Sequence, residues 1–485
     1  MFNSECSRHG VCSISPNIAA FREIVKIILK TSAYYLEKLT YFGIDLKKEK
    51  LDIINSLAGM LLTADCSDDQ MFDTLIRYYN NFIKIKKKYI CACKNRGIKP
   101  VYKKNALKIT SEMSFSDLLF QGQKIIFSAA KQKNLNKKCY AELVIILLIN
   151  AAHSLIKLAD YTNIGDEYIN AVISAFSGSY GKKTLEKLID INADLLLKRY
   201  HAQSENLGKI SKTYVNKSSV MGKAILVTGS NLLDLYNLLT EIREINVYTH
   251  GNLLLAHAYK GFEKFKNLKG HFSTGENNYD FSNFPGAIYL TKHSAFNLSN
   301  LFRGKIFSYD NINAKNVVKL KSFEELKEYT NKVDGFKNSH NLSTIQVGFS
   351  ENELSEKLCT FNTNKIVITC NLDPSYKLNS SINADIILDS TTNENINTEN
   401  FYINTGGNAP FQYYLINKLS EHIPNENAEF YFTSCDYNTI TIMLILYKAG
   451  VKNLYLSECP PTVINPVIRK KFMSIFNIKE IKKSP

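Results

Sequence analysis

The feature that most constrains the fold is a series of short apolar runs, each ending in small or polar residues, that begins at Lys223. The runs alternate with segments in which apolar residues have helical spacing, such as NLLDLYNLLTEI. Strands that alternate with helices are typical of parallel sheets built from right-handed crossovers. We predict seven of these runs to be strands: KAILVTGS, INVYTHG, GAIYLTKHS, KIVITCN, ADIILDS, AEFYFTSCD and VKNLYLSEC.

The chain divides into three regions that differ in the spacing of their apolar residues. Up to about residue 215 the apolar spacing is helical, and CYAELVIILLINAAHSLIKLADY is apolar on nearly every face, which predicts a helix buried in a bundle. The polar stretch 201–222 is typical of a linker. The predicted strands exceed one comfortable sheet, and a polar stretch near Lys332–Leu342 separates them. We therefore predict an α/β protein with a helical bundle (1–218) and two Rossmann-like domains with parallel sheets (219–340 and 341–485).

Composition excludes several classes of protein. With 45% hydrophobic and 22% charged residues, the chain is globular. The N-terminal sequence MFNSECSRHGVC lacks the apolar stretch of a signal peptide, and the run LVIILLIN is shorter than the roughly 20 residues of a membrane span. Ten scattered cysteines favour reduced thiols or metal ligands over disulfides. A cytoplasmic protein without a membrane partner is expected.

A basic cluster extends from Lys84 to Lys108, with ten Lys/Arg, no acidic residue, and tyrosines between them. This pattern could bind the phosphates of a nucleic acid, but a solvated helix end and loop is the favoured interpretation, since charge runs usually lie in water. The cluster contains Cys91 and Cys93, whose thiols would share one face in a strand. With no second pair of cysteines, they are a weak metal signal.

The ends of the predicted strands are where a parallel sheet presents residues to a ligand. After INVYT come His250, Gly251 and the unreactive amide of Asn252. The spacing of His250 and His257 is not a recognised metal-ligand spacing, so we expect hydrogen-bonded histidines that orient the turn. The segment AILVTGSN lacks the glycine triplet of a dinucleotide-binding loop.

Several segments together resemble the hybrid cluster protein (prismane, or hydroxylamine reductase) family. They are CSRHGVC, GKAILVTGSNLLDLYNLL, INVYTHGNLLLAHAY, FPGAIYLTKHS, IQVGFSENEL and LILYKAGVKNLYLSECPPTVINPVIRKKFMSIFNIKEI. The resemblance implies a helical domain followed by two Rossmann-like domains. It also implies an N-terminal iron–sulfur cluster on four cysteines and a hybrid iron–sulfur–oxygen cluster that reduces hydroxylamine or nitric oxide.

The hybrid-cluster ligands that the resemblance implies are largely replaced in this chain. The family's histidine falls on Ser230, its first glutamate on Asn252 and three of its cysteines on Ser294, Thr392 and Gly407. Only Cys370, at a cysteine position, and Asp436, at the last glutamate position, could still be metal ligands, with Cys435 and Cys459 as further thiols at strand ends. Because iron–sulfur clusters depend on thiolates, we predict that the hybrid cluster is absent.

Cys6 and Cys12 match only the second half of the family's N-terminal cysteine motif. Two thiolates cannot enclose a cubane cluster, whose irons each need a terminal ligand. A homodimer with its twofold axis near the N-terminus could join two pairs around one cluster. The favoured interpretation is that both cysteines are remnants without metal.

Three functions are therefore compatible with the sequence. The chain is a degenerate member of the family, an active iron–sulfur oxidoreductase with an altered cluster, or a basic scaffold associated with nucleic acid. The first is favoured, with hydroxylamine reduction lost or strongly reduced, and no catalytic residue is assigned.

Overall fold

A computed structural model shows how the chain folds. It describes residues 16–59, 68–103, 113–130, 134–273, 277–292, 304–309, 317–340, 343–360, 365–368, 386–389, 401–433, 436–457 and 466–481. The chain forms two compact units. One contains residues 1–195 with 295–297 and 462–472, and the other contains 196–294, 298–461 and 473–485.

The first unit is helical. Its helices are α1 (Pro16–Tyr41), α2 (Lys47–Gly59), α3 (Asp68–Asn95), α4 (Phe115–Ala130), α5 (Leu135–Ala159), α6 (Asp166–Ser177) and the beginning of α7 (Lys182–Leu207). The central helix α1 packs against α3, α4 and α6, and α2 packs against α5. Buried aliphatic and aromatic residues at helical spacing, such as Phe21, Ile24 and Ile28, explain why α1 lies in the centre.

Helix α5 contains the most apolar segment of the chain. It begins after Asn134, whose side-chain Oδ1 accepts a hydrogen bond from the Lys137 backbone N–H at 3.0 Å. The helix is long and apolar enough to cross a membrane, although its core run LVIILLIN alone is not. However, 67% of its apolar window is buried inside the unit, as is usual for the core helix of a soluble protein. The prediction of a helix buried in a bundle is confirmed.

The second unit contains two parallel sheets and a small antiparallel pair. In the first sheet, β2 (Ala224–Thr228), β3 (Asn246–Thr249), β4 (Leu268–His271), β5 (Ala287–Leu290), β6 (Ile306–Ser308) and β7 (Val317–Lys319) have the order β4-β3-β2-β5-β6-β7. Helices α8 (Leu232–Glu241), α9 (Asn277–Asn283) and α10 (Phe323–Lys332) connect or follow these strands.

The second sheet repeats this topology. Its order is β11-β10-β9-β12-β13-β14, from β9 (Lys365–Ile368), β10 (Ile386–Asp389), β11 (Phe401–Asn404), β12 (Glu429–Phe432), β13 (Asn453–Leu456) and β14 (Lys479–Glu480). The helices of this part are α11 (Glu351–Thr360), α12 (Ala409–Ser420), α13 (Tyr437–Lys448) and α14 (Pro466–Ile475), of which α14 lies mostly in the helical unit. The same strand order in both sheets is the doubly wound arrangement of Rossmann-like folds.

All seven predicted strands are observed, as are the two sheets and the helical N-terminal region. The central strand β2 is buried along its whole length, because a parallel sheet is covered on both faces. The division into three domains stays a prediction, since both sheets lie in one compact unit together with the end of α7.

One expectation about local structure was wrong. The stretch 201–222 is not a linker, because α7 continues to Leu207 and Thr213–Asn216 forms β1, which pairs antiparallel with β8 (Thr344–Val347).

Cys91 and Cys93 lie near the end of helix α3, where Cys91 is exposed and Cys93 is buried. Because residues two apart do not face the same side of a helix, their thiols do not share a face.

Candidate functional site at the strand ends

The carboxyl ends of the two parallel sheets are the places where this fold binds ligands. Ser230, Asn252, Gly407 and Asp436 follow β2, β3, β11 and β12, so four of the seven ligand positions implied by the resemblance can be located. The remaining residues, Ser294, Cys370 and Thr392, lie outside the described part of the chain, as do Cys6, Cys12, Cys435 and Cys459.

Ser230 lies at the switch point of the first sheet, between β2 and β5. The backbone N–H groups of Ser230 and Asn231 both donate to the hydroxyl of Thr291, at 3.2 and 3.3 Å. The buried carboxylate of Asp234 accepts from the Tyr289 hydroxyl at 2.7 Å and from the Lys292 backbone N–H at 2.9 Å. These bonds join the residues that follow β2 to those that follow β5, so protein groups satisfy the polar atoms that a ligand would otherwise meet here.

Asn231 is the residue that begins helix α8. Its side-chain Oδ1 accepts from the Asp234 backbone N–H at 3.1 Å, which is an N-terminal cap.

His250 is completely enclosed at the end of β3. Its Nδ1 lies 2.9 Å from the Thr228 hydroxyl, and its Nε2 lies 3.2 Å from the carboxylate of Asp280 in α9. All three side chains are buried. A hydroxyl, an imidazole and a carboxylate in this sequence are also the components of a nucleophilic triad. Here none of them reaches solvent, so the arrangement holds β2, β3 and α9 together.

A second polar cluster surrounds the buried hydroxyl of Thr249. The hydroxyl lies 2.9 Å from His257 Nε2 and 2.9 Å from His271 Nδ1. Burial lowers the pKa of His257 to about 4, against a smaller opposing effect of the Gly270 carbonyl. Burial, together with the nearby His250, His257 and Lys217, lowers the pKa of His271 well below its ordinary value. Both rings are therefore neutral at pH 7, and the prediction of hydrogen-bonded histidines is confirmed for His250 and His257.

The end of β3 and the end of β11 approach each other at Asn252 and Gly407. Gly407 has φ +70°, and a Cβ atom on it would lie 2.5 Å from Asn252 Oδ1. The adjacent Gly406 has φ +56°, and its Cβ would lie 2.8 Å from the Leu255 backbone nitrogen. Two positions that are remote in the sequence, and that the resemblance assigns to one ligand set, are thus in direct contact.

The turn after β11 is held by its own polar groups. Asn404 Oδ1 accepts from the Gly406 backbone N–H at 2.8 Å, and Asn408 Oδ1 accepts from the Phe411 backbone N–H at 3.0 Å to cap α12. The backbone carbonyl of Asn404 also accepts from Gly348 N–H at 3.0 Å. These contacts fix Gly406 and Gly407 in the left-handed region of φ, which residues with a side chain rarely adopt.

Asp436, the last of the described ligand positions, begins helix α13. Its Oδ1 accepts from the Thr439 backbone N–H at 2.8 Å, and the carboxylate also lies at the positive end of the helix dipole. Capping is a sufficient structural reason for an acidic residue at this position.

Beside neutral hydrogen-bonding groups, the described strand ends carry the carboxylates of Asp234, Asp280 and Asp436, each of which is hydrogen-bonded to protein groups. Among the described residues, no group of three or more His, Cys, Asp or Glu side chains is arranged to hold a metal ion. The sequence did not point to Asp234, Asp280 or His271, which do most of the hydrogen bonding at the first sheet. His271 is the last residue of the weakly apolar strand LKGH, and Asp280 lies in a short polar helix, so neither has a periodic signal.

This architecture defines an α/β protein with a helical N-terminal unit and two doubly wound parallel sheets whose carboxyl ends meet at Asn252 and Gly407. A model of the Prismane/CO dehydrogenase family matches residues 3–341. The chain belongs to this family.

Relatives with curated names support the same assignment. The chain is 27% identical over 375 residues to a hydroxylamine reductase of Syntrophobacter fumaroxidans, covering 72% of this chain and 66% of that protein. It is 34% identical over 181 residues to a hydroxylamine reductase of Actinobacillus succinogenes, covering 35% of this chain and 32% of that protein. The chain thus spans less than two thirds of the length of these relatives.

Among solved structures, the chain is similar to a carbon monoxide dehydrogenase from Thermococcus sp. AM4. The sequence identity is 10% and the TM-score 0.41, with 97% of this chain and 84% of the other covered.

Proposed function

We propose that this chain is a degenerate member of the hydroxylamine reductase (hybrid cluster protein) group, which has kept the fold but does not hold a complete hybrid cluster. In this proposal the protein is a binding or scaffold module without hydroxylamine reductase activity. The family and the fold are those of the named relatives, whereas the ligand positions carry different chemistry.

The observation that carries the proposal is the contact between Asn252 and Gly407. At position 407 the resemblance implies a cysteine, but the residue is a glycine with φ +70°, and the space into which its side chain would extend contains Asn252 Oδ1. A thiolate ligand here would need both a strained backbone and the displacement of Asn252. In this proposal, the neutral amide of Asn252 occupies the place of a cluster ligand.

The other described positions support the same conclusion through their donor chemistry. Ser230 offers a hydroxyl, Asn252 an amide, and Asp436 a carboxylate that already caps a helix. Iron–sulfur clusters are held by thiolates, and neutral oxygen ligands cannot balance the charge of several buried irons. The donors at the described positions do not fit the hybrid cluster.

The test is to purify the full chain without oxygen and to measure iron, acid-labile sulfide, visible absorbance and hydroxylamine reduction with an artificial electron donor. We expect no activity above that of the metal-free protein. The variant Cys370→Ala is the control for the hybrid site, and Cys6→Ala is the control for the N-terminal motif.

The two variants separate the outcomes. Iron that is lost in Cys6→Ala together with dimerisation, at about four irons per two chains, would indicate a bridged N-terminal cluster and leave the proposal intact. Hydroxylamine turnover that is abolished by Cys370→Ala would overturn the proposal and favour an active enzyme with an altered cluster.

A further inference from the structure

The helical unit contains a cavity of about 250 Å³ between α1, α2 and α3. Its floor is apolar and is formed by Leu29, Ile53 and Ile85, which are buried. In α3, the lining residues Tyr78, Asn81, Ile85 and Lys88 recur at helical spacing, so one face of this helix forms one wall. The cavity includes the beginning of the basic cluster found in the sequence, which the proposed function does not use.

The charges at this cavity are unequal. Lys48, Lys84 and Lys88 line it together with Glu49 and Asp52. Lys88 donates a hydrogen bond to Glu49, which makes one neutral pair. Partial burial would raise the pKa of Glu49, but the Lys88 bond and the nearby Lys48 hold that pKa below its ordinary value, so the pair is ionised at pH 7.

The remaining cations are Lys48 and Lys84, and the remaining anion is Asp52. In the part of the chain that the structure describes, neither lysine forms an ion pair. Two lysines against one aspartate leave one net positive charge beside an apolar floor. The hydroxyls of Ser32 and Ser56 donate to backbone carbonyls of their own helices, at 2.9 and 2.6 Å. Each serine can therefore accept a hydrogen bond from a ligand but has no free proton to donate.

We propose that this cavity binds a small organic monocarboxylate, with its apolar body on Leu29, Ile53 and Ile85 and its carboxylate at Lys84 and Lys48. The acidic side chains of Glu49 and Asp52, which line the cavity, oppose a dianion such as a phosphate monoester, which carries nearly two negative charges at pH 7. An inorganic anion has no apolar part that could pack against Leu29, Ile53 and Ile85, so the apolar floor disfavours inorganic anions. The site lies in the helical unit and is independent of the proposed loss of the hybrid cluster.

The probes that test this site are octanoate and its uncharged analogue octanamide, titrated by calorimetry into the full chain. The variant Lys84→Gln removes one cation from the cavity. Its matched control is Lys87→Gln, which removes a lysine that is exposed on the same helix but does not line the cavity.

We expect octanoate to bind more tightly than octanamide, and Lys84→Gln to weaken octanoate binding about fivefold, as for a solvent-accessible ion pair. Lys87→Gln should leave the affinity unchanged. A second variant, Ser56→Leu, fills the cavity and should abolish binding of both probes. The proposal is overturned if octanoate does not bind, if octanamide binds equally well, or if the two lysine variants have the same effect.

Discussion

The two parallel sheets share one strand order but differ at their carboxyl ends. The first sheet ends in a buried network of side chains, with Thr228, His250 and Asp280 in one chain of bonds and Thr249 between two imidazoles in another. The second sheet ends, where it is described, in a backbone turn with two left-handed glycines and in the helix cap of Asp436. Side chains therefore bond to one another at the end of the first sheet, whereas at the end of the second sheet Asn404, Asn408 and Asp436 each accept a hydrogen bond from a backbone N–H.

This difference has a physical consequence for stability. A buried side-chain network loses much free energy when one member is removed, because its partner is left without a hydrogen bond. A glycine turn instead loses free energy when a side chain is added, because the left-handed backbone becomes strained. Substitutions at the two strand ends should therefore differ in how much they change the free energy of unfolding and in which kind of substitution is destabilising.

The largest effect is expected at Asp280 in the first sheet. Replacing Asp280 with alanine leaves the buried His250 Nε2 without its partner, and we expect the free energy of unfolding to fall by about 3 kcal/mol. Urea unfolding followed by circular dichroism measures this change. The control is Asp334→Ala, whose carboxylate is exposed and lies 3.9 Å from Lys337, where a change below about 0.5 kcal/mol is expected. Equal effects of the two substitutions would show that the buried carboxylate stabilises the fold no more than the exposed one does.

The sequence predicted the sheets better than the networks at their ends. Strands such as β2 and β5 are continuous apolar runs, so their burial is visible in the residues themselves. By contrast, β6 and β7 have three residues each, too few for a pattern, and β4 contains lysine, glycine and histidine. These strands exist because neighbouring strands offer them backbone partners, which is a tertiary effect that local sequence does not carry.

The candidate site was predictable in its positions but not in its contacts. Ser230, Asn252, Gly407 and Asp436 were all expected at strand ends, and each follows a strand. The contact of Asn252 with Gly407 joins two sheets that are far apart in the chain, and a single sequence contains no signal for it.

An intermediate effect is expected from pH, and it should come from the first sheet. The pKa of His257 is lowered to about 4 and that of His271 well below its ordinary value of 6.5, so the unfolded chain binds these protons more readily than the folded chain. The free energy of unfolding should therefore fall as pH decreases from about 6.5 towards 4, by roughly 2 kcal/mol over the first pH unit. Urea midpoints at several pH values measure the slope.

The variant that locates this pH dependence is His257→Gln, with the exposed His422→Gln as its control. Glutamine can still bond to the Thr249 hydroxyl but does not titrate, so the slope between pH 6.5 and 4 should become shallower. A slope that is unchanged in His257→Gln, or equally reduced in His422→Gln, would assign the acid sensitivity to other groups.

The smallest effect is expected at the end of β11, where a side chain is added. Gly407→Ala places a Cβ 2.5 Å from Asn252 Oδ1 in a backbone with φ +70°, and we expect a loss of about 1–2 kcal/mol. Asn252 is exposed and its end is flexible, so Asn252→Ala alone should change the free energy of unfolding by less than about 0.5 kcal/mol. In the double variant the clash is absent while the backbone strain remains, so Asn252→Ala should recover part of the loss and no more. Additive effects in this double-mutant cycle would mean that the two residues are not in contact. The contact between the two sheets would then no longer support the proposed loss of the hybrid cluster.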